Sequence, residues 1–173
     1  MSFNIALRLA RGAGITAILV STIALASCQV RPLYSESSGV AGKLASVSFS
    51  DATTRIEQEV RNRLIFLASR GAGEPAQADY KVEFSARSDV IGTLLVESSD
   101  TSQAGRATVS IDYTLKSNKD GHVIKAGNRY ATALVDFSRQ EFAKQRAIRD
   151  AENRAARQAA EFVGADIAAA LGR

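Results

Sequence analysis

The sequence predicts an α+β fold, a two-layer sandwich in which a four-stranded sheet carries two helices on one face, in the order β-α-β-β-β-α. Three observations lead there. Ile56, Val60, Leu64 and Leu67 recur at helical spacing. Two later stretches alternate at period two: Tyr80, Val82, Phe84 and Ala86 against polar neighbours, then Ala107, Val109, Ile111, Tyr113 and Leu115 likewise. The chain closes on a long stripe of Ile148, Ala151, Ala155, Ala159, Phe162, Ile167 and Leu171, again at helical spacing. Period-two strands of this kind have one buried and one wet face, and the two amphipathic helices supply the cover.

Taken in order, Leu44, Val47 and Phe49 form a short run ending at Asp51 and read as the first strand. Thr54 and Glu57 make a capping-box pair that opens the first helix, and Gly71 offers a stop for it. On that helix Glu57, Arg61, Asn62 and Arg63 are expected to face water. Between the second and third strands, the polar run from Glu97 to Gly105 is long for a hairpin turn and reads as a projecting loop. The turn Asn118-Lys119-Asp120-Gly121 then leads into a strand from Val123 to Phe137, with a bulge expected near Gly127. The last helix runs from about Gln140 to Leu171, and its alanine-rich contact face lets it approach the sheet closely.

The N-terminus carries a different signal. Arg8 and Arg11 precede an apolar stretch from Gly12 to Ala26, interrupted only by small residues such as Thr16, Ser21 and Thr22, which is short for a bilayer-spanning helix but suited to export. It ends in Leu25-Ala26-Ser27-Cys28, a large aliphatic and two small residues before the protein's single cysteine. That pattern resembles the bacterial lipobox, in which the cysteine is acylated on sulfur and becomes the new N-terminus. The chain accordingly divides into a cleaved lipoprotein signal peptide (1–27), a lipid-anchored extended tether (28–43) containing Pro32 and a serine-rich run, and a single domain (44–173). Gln29 is not the aspartate that retains many lipoproteins in the inner membrane, so by resemblance the destination is the outer membrane.

Losing Arg8 and Arg11 with the signal lowers the formal charge from +4 to about +2. A nearly balanced, tryptophan-free chain with few aromatics offers no base-stacking platform, and nucleic acid is not expected as a partner. The lone cysteine has no disulfide partner in the chain and cannot build a multi-thiolate metal site. Catalytic groups are equally scarce. His122 is the single histidine and sits in a turn beside Gly121; the chain has no Gly-x-Ser-x-Gly elbow, P-loop or dinucleotide fingerprint. Asp150 and Glu152 read as ordinary solvated ion-pair partners on different faces of the last helix. No catalytic residue, cofactor or metal is therefore expected.

One uneven feature remains. Arg139, Lys144, Arg146, Arg149, Arg154 and Arg157 stand against Glu141, Asp150 and Glu152, a local excess of three positive charges. Such a cluster suits phosphate groups, with arginine offering paired donors and lysine a compact charge; a helix surface basic by chance is the equal alternative. Arg87, Arg106 and Arg129 add charge on the wet side of the sheet or at its ends.

Cys28-Gln29-Val30-Arg31-Pro32-Leu33-Tyr34 is similar to the start of the mature chain in the LPS-assembly lipoprotein family LptE, alphaproteobacterial branch, where the cysteine is followed by Arg-Pro-Leu-Tyr. Asp150-Ala151-Glu152-Asn153-Arg154-Ala155-Ala156 resembles the family's acidic-then-alanine final helix, and the element order agrees. The departures are Gln29-Val30, where the branch usually has Gly-Phe, and Ser35, where glycine is common. The resemblance implies a non-enzymatic plug inside the LptD outer-membrane β-barrel, one copy per barrel, assisting the placement of lipopolysaccharide in the outer leaflet. It also implies lipopolysaccharide-binding basic residues in the loop between the middle strands and near the start of the last helix. The nearest positions here are Arg106 and Lys144, with Arg139 beside them. Two other readings stay open: an auxiliary lipoprotein of an ABC-type envelope lipid transport system, and an enzyme acting on envelope polymers.

Overall fold

The computed structural model describes residues 39–96 and 101–172. The expected signal peptide, Cys28, Gln29 and the tether as far as residue 38 lie outside the described residues. Within them the order is α1 (Val40–Ala45), β1 (Val47–Phe49), α2 (Arg55–Ser69), β2 (Tyr80–Val96), β3 (Thr101–Ser117), β4 (Val123–Asp136) and α3 (Glu141–Leu171). The sheet runs β1-β2-β3-β4, with β1 parallel to β2 and the other two pairings antiparallel. This is the expected α+β arrangement with one helix added in front.

That added helix corrects the reading of its segment. Val40–Ala45 was expected to be extended, and Leu44 to open the first strand. Instead the segment is helical, and Val40 and Leu44, one turn apart on the same helix face, are both buried in the core. Lys43 then donates from Nζ to the Leu171 carbonyl at 2.7 Å, satisfying an acceptor that the end of α3 leaves open.

α2 begins at the capping box, with the Glu57 N–H donating to Thr54 Oγ1 at 3.1 Å. Glu57 is buried, not solvated as its place in the sequence suggests. Its Oε2 accepts from the Thr53 N–H (2.9 Å), Thr53 Oγ1 (2.7 Å) and the Thr54 N–H (3.2 Å), while Oε1 accepts from the Ala86 N–H on β2 (3.3 Å). One carboxylate thus caps a helix and closes part of the β2 edge that the three-residue β1 is too short to cover. Ser50 Oγ does the same service for the Phe84 N–H at 3.2 Å. The helix ends with Arg70 and Gly71 both at positive φ, so the left-handed turn starts one residue before the glycine expected to supply it.

The hairpin of β2 and β3 is longer than predicted. Ladder pairing continues to Val96↔Thr101, so most of the stretch read as a projecting loop is strand. Its register slips between Gly92 and Leu95. The other irregularity lies between Leu115 and Lys116, where Ile124 is the extra residue; the register runs unbroken through Gly127. Gly127 has a different task. A Cβ there would sit 3.0–3.2 Å from the Tyr113 ring and hydroxyl, so the glycine makes room for Tyr113 to cross β4.

Both long helices cover the same face of the sheet. Ala107, Val109, Ile111, Tyr113 and Leu115 of β3 are buried beneath Ala151, Ala155, Ala156, Ala159, Ala160, Val163 and Ala168 of α3. Phe162, expected on that stripe, is instead 44 % exposed, because small residues on either side of it make the close contact. α2 lies parallel to α3: Arg55 meets Glu152, Glu59 meets Arg157 (3.0 Å), Arg63 meets Glu161 (2.5 Å), and Leu67 packs on Gly164. The opposite face carries no helix among the described residues. It is a polar lattice in which Arg87 pairs with Asp112 (3.2 Å), Asn128 donates to Asp112 (2.7 Å) and Ser110 (3.0 Å), and Lys116 pairs with Glu83 (2.5 Å).

Glu57 gives the fold a pH dependence with a definite sign. The Thr53 hydroxyl and amide, with further amides, hold its carboxyl below the ordinary value of 4.5, against the opposing effect of burial. Its contribution is therefore complete above that value and is lost as pH falls through the lower folded-state value. Urea unfolding of Glu57→Gln should show a loss of about 2 kcal/mol at neutral pH, and the gap to the parent should narrow in acid. Gly127→Ala should cost about 1–2 kcal/mol in the same assay by crowding Tyr113.

Candidate functional site

The direction of the elements places the basic residues. β3 runs from Thr101 to Ser117, and α3 runs the same way, since Ala151 packs with Ala107 and Val135 while Asp166 meets Tyr113. The domain therefore has two ends. At the base lie α1, the Ser117 to Val123 turn and the end of α3, tied by Lys43 to Leu171 and by the Asp79 N–H to the Ser46 carbonyl at 2.9 Å. At the tip lie the far part of the β2–β3 hairpin, the end of β4 and the first turns of α3.

All three predicted binding residues belong to the tip, on different sides of it. Arg106 is exposed on the bare face of the sheet, in a cross-strand row with Ile91 and Leu134. These two flanking aliphatics are themselves open to solvent, Ile91 by 49 % and Leu134 by 74 %. Arg139 is exposed in the bend before α3. Lys144 lies on the helix side, half-buried, with Nζ 5.3 Å from the centroid of the Phe137 ring. Phe142 in the first turn of α3 is 90 % exposed. The tip thus combines cations that form no ion pair among the described residues with accessible apolar side chains.

The rest of the basic cluster divides by partner. Arg154 is held by Asp150 (2.6 Å) and donates to the Leu134 carbonyl (2.8 Å), and Arg157 is held by Glu59. Arg146 and Arg149 are exposed on the tip half of α3. Arg129 does not belong to the wet face. It points to α3, where Nε and Nη2 donate to Asp166 at 2.7 and 2.9 Å, and Tyr113 donates to the same carboxylate at 2.6 Å. The Arg129 hydrogen bonds hold Asp166 below the ordinary carboxylate range, with Tyr113 adding to the effect. Burial and the adjoining carboxylate raise the Tyr113 phenol, which stays protonated. This is a clasp between α3 and the sheet.

Among the described residues no nucleophile is aligned with a base. His122 is exposed in the turn at the base, with its amide donating to Asp120 at 3.2 Å. Asp150 and Glu152 are ion-pair partners of Arg154 and Arg55. What the tip can do chemically is hold anionic oxygen atoms beside apolar groups, the pairing of features found in an amphiphile's headgroup and chain.

Gly105 and Phe137 are the tip residues that sequence patterns left aside. A Cβ on Gly105 would overlap the Phe137 ring and stand 3.0 Å from the Ile91 carbonyl, so the ring packs directly against bare β3 backbone. An isolated glycine in a strand pattern is the available signal for such close approach, hidden here because Gly105 closed a stretch read as loop.

Residues 42–165 match the family model of LptE, lipopolysaccharide assembly. Among solved structures, a Caulobacter crescentus CB15 protein described as a lipoprotein is similar at a TM-score of 0.63 and 24 % identity, over 77 % of this chain and 96 % of that one. The rare lipoprotein B from Shewanella oneidensis is similar at 0.50 and 17 % identity, over 72 % and 92 %. Likeness at these identities concerns the fold. Among curated proteins none matches the chain significantly.

Proposed function

Because the chain belongs to the LptE family of lipopolysaccharide-assembly proteins, we propose that it is a non-enzymatic outer-membrane lipoprotein, anchored through acylated Cys28 once residues 1–27 are removed. It seats its domain in the lumen of an LptD-type β-barrel, one copy per barrel, and binds lipopolysaccharide at the tip through Arg106, Lys144 and Arg139. The observation that carries this reading is the opposition of the two ends. The described chain enters at the base through α1, while Arg106, Arg139 and Lys144, without an ion pair among the described residues, lie at the tip.

Dimensions support it. From Arg106 to Ser117 the strand covers roughly 35 Å at about 3.3 Å per residue, close to the ~30 Å hydrocarbon thickness of a bilayer. A domain tethered at the inner leaflet by its base carries its basic tip to the level of the outer leaflet. The polar lattice on the bare face of the sheet suits the polar interior of a large barrel. Lipopolysaccharide phosphates would meet Arg106 and Lys144, and the exposed Ile91, Leu134 and Phe142 suit the apolar part of the same molecule.

Affinity purification of the full-length protein from detergent-solubilised envelopes should recover a large outer-membrane β-barrel in near-equal amount; recovery of ABC transporter subunits in its place overturns the assignment. Reversing the tip with Arg106→Glu and Lys144→Glu together should weaken lipopolysaccharide binding at least about tenfold, two charged hydrogen bonds being lost. Unchanged binding would remove both residues from the site. Cys28→Ala should release the protein from the membrane fraction unless the barrel alone retains it.

A further inference from the structure

We infer that Phe137, seated on Gly105, positions Lys144 for the anionic group that it binds, an inference that rests on the binding role proposed above. Lysine is a poor ligand when free, since its long stem has to be immobilised on binding. At the tip that freedom is already reduced. The Lys144 ammonium sits over the face of the Phe137 ring at 5.3 Å, where the ring's negative face attracts it. An ammonium held this way keeps N–H groups on its far side for an incoming phosphate oxygen.

The ring is itself fixed from three directions. Its backbone N–H donates to the Gln103 carbonyl of β3 at 2.8 Å, continuing the ladder one residue past the last paired position of β4. Its side chain packs with Val90, Ala133, Ala147 and Ile148 around Ala107, Val135 and Ala151. Beneath it, Gly105 presents only backbone, and any side chain there would displace the ring. Gly105 directly precedes Arg106. The same short piece of β3 therefore presents one cation to the bare face and, through Phe137, seats the other on the helix face.

The test titrates full-length protein in mild detergent with purified lipopolysaccharide, with circular dichroism confirming that each variant is folded at the assay temperature. Lys144→Ala should weaken binding, and Phe137→Leu should weaken it by about two- to fivefold, the scale of one such cation–ring contact. Phe137→Tyr, which keeps the ring, should bind as the parent does, and Gly105→Ala should behave like Phe137→Leu. Adding Phe137→Leu to Lys144→Ala should cause no further loss, because the ring acts only through the lysine. Proton NMR supplies a second readout: the Lys144 ε-methylene should be shifted upfield by the ring, and Phe137→Leu should abolish the shift. If Lys144→Ala weakens binding while Phe137→Leu does not, or if the two losses simply add, the positioning role is wrong. If Lys144→Ala leaves binding unchanged, the binding role fails, whatever the NMR spectrum shows.

Discussion

The domain depends on how closely α3 can lie against the sheet. One helix of 31 residues covers most of the buried face of β3 and β4, and its contact surface is built from alanine at positions 151, 155, 156, 159, 160 and 168. Small side chains bring the helix axis near the strands, so valine and isoleucine from β3 pack directly against it. Larger residues on that face would lift the helix and open the space between α2, α3 and β1. The Tyr113–Asp166–Arg129 clasp is affordable only at this separation, since both partners reach Asp166 directly from the sheet.

Much of this was legible because the patterns are long. Seven residues at helical spacing and two ladders of period two identify α3, β2 and β3 with little ambiguity, and α2 announces itself by its capping box. What escaped the sequence depends on contacts between distant residues. Val40 and Leu44 are helical because the core beside the end of α3 buries both of them, and six residues carry no such information alone. Glu57 is read as solvated from its helix, yet the Ala86 amide on another element decides its burial. Phe162 and Ala159 occupy the same predicted stripe, yet Ala159 is buried and Phe162 is exposed, a choice made by packing against the sheet and not by helical spacing.

The tip shows a similar division. Arg106, Arg139 and Lys144 were identifiable as charges, and their common end of the molecule follows from the topology. Their sides were not. Arg106 points away from the helices because its neighbour Ala107 points toward them, and Lys144 takes the other side because α3 begins there. Arg129, an equally good candidate by type, is consumed by Asp166, thirty-seven residues away in the chain. Charge alone therefore names too many residues, and pairing removes the ones that are structural.

The bare face of the sheet and the lengthwise layout of the elements have a mechanical consequence. The described chain enters at the base and Arg106, Arg139 and Lys144 lie at the tip, so under the function proposed above a pull between anchor and ligand would act along the strands. Hydrogen bonds between strands stand perpendicular to that direction. They are loaded together in shear and do not open one after another as in peeling. β2, β3 and β4, each at least 14 residues long, share the load across two full ladders. The same sheet that carries no helix on one side among the described residues is thus a stiff strut along its long axis.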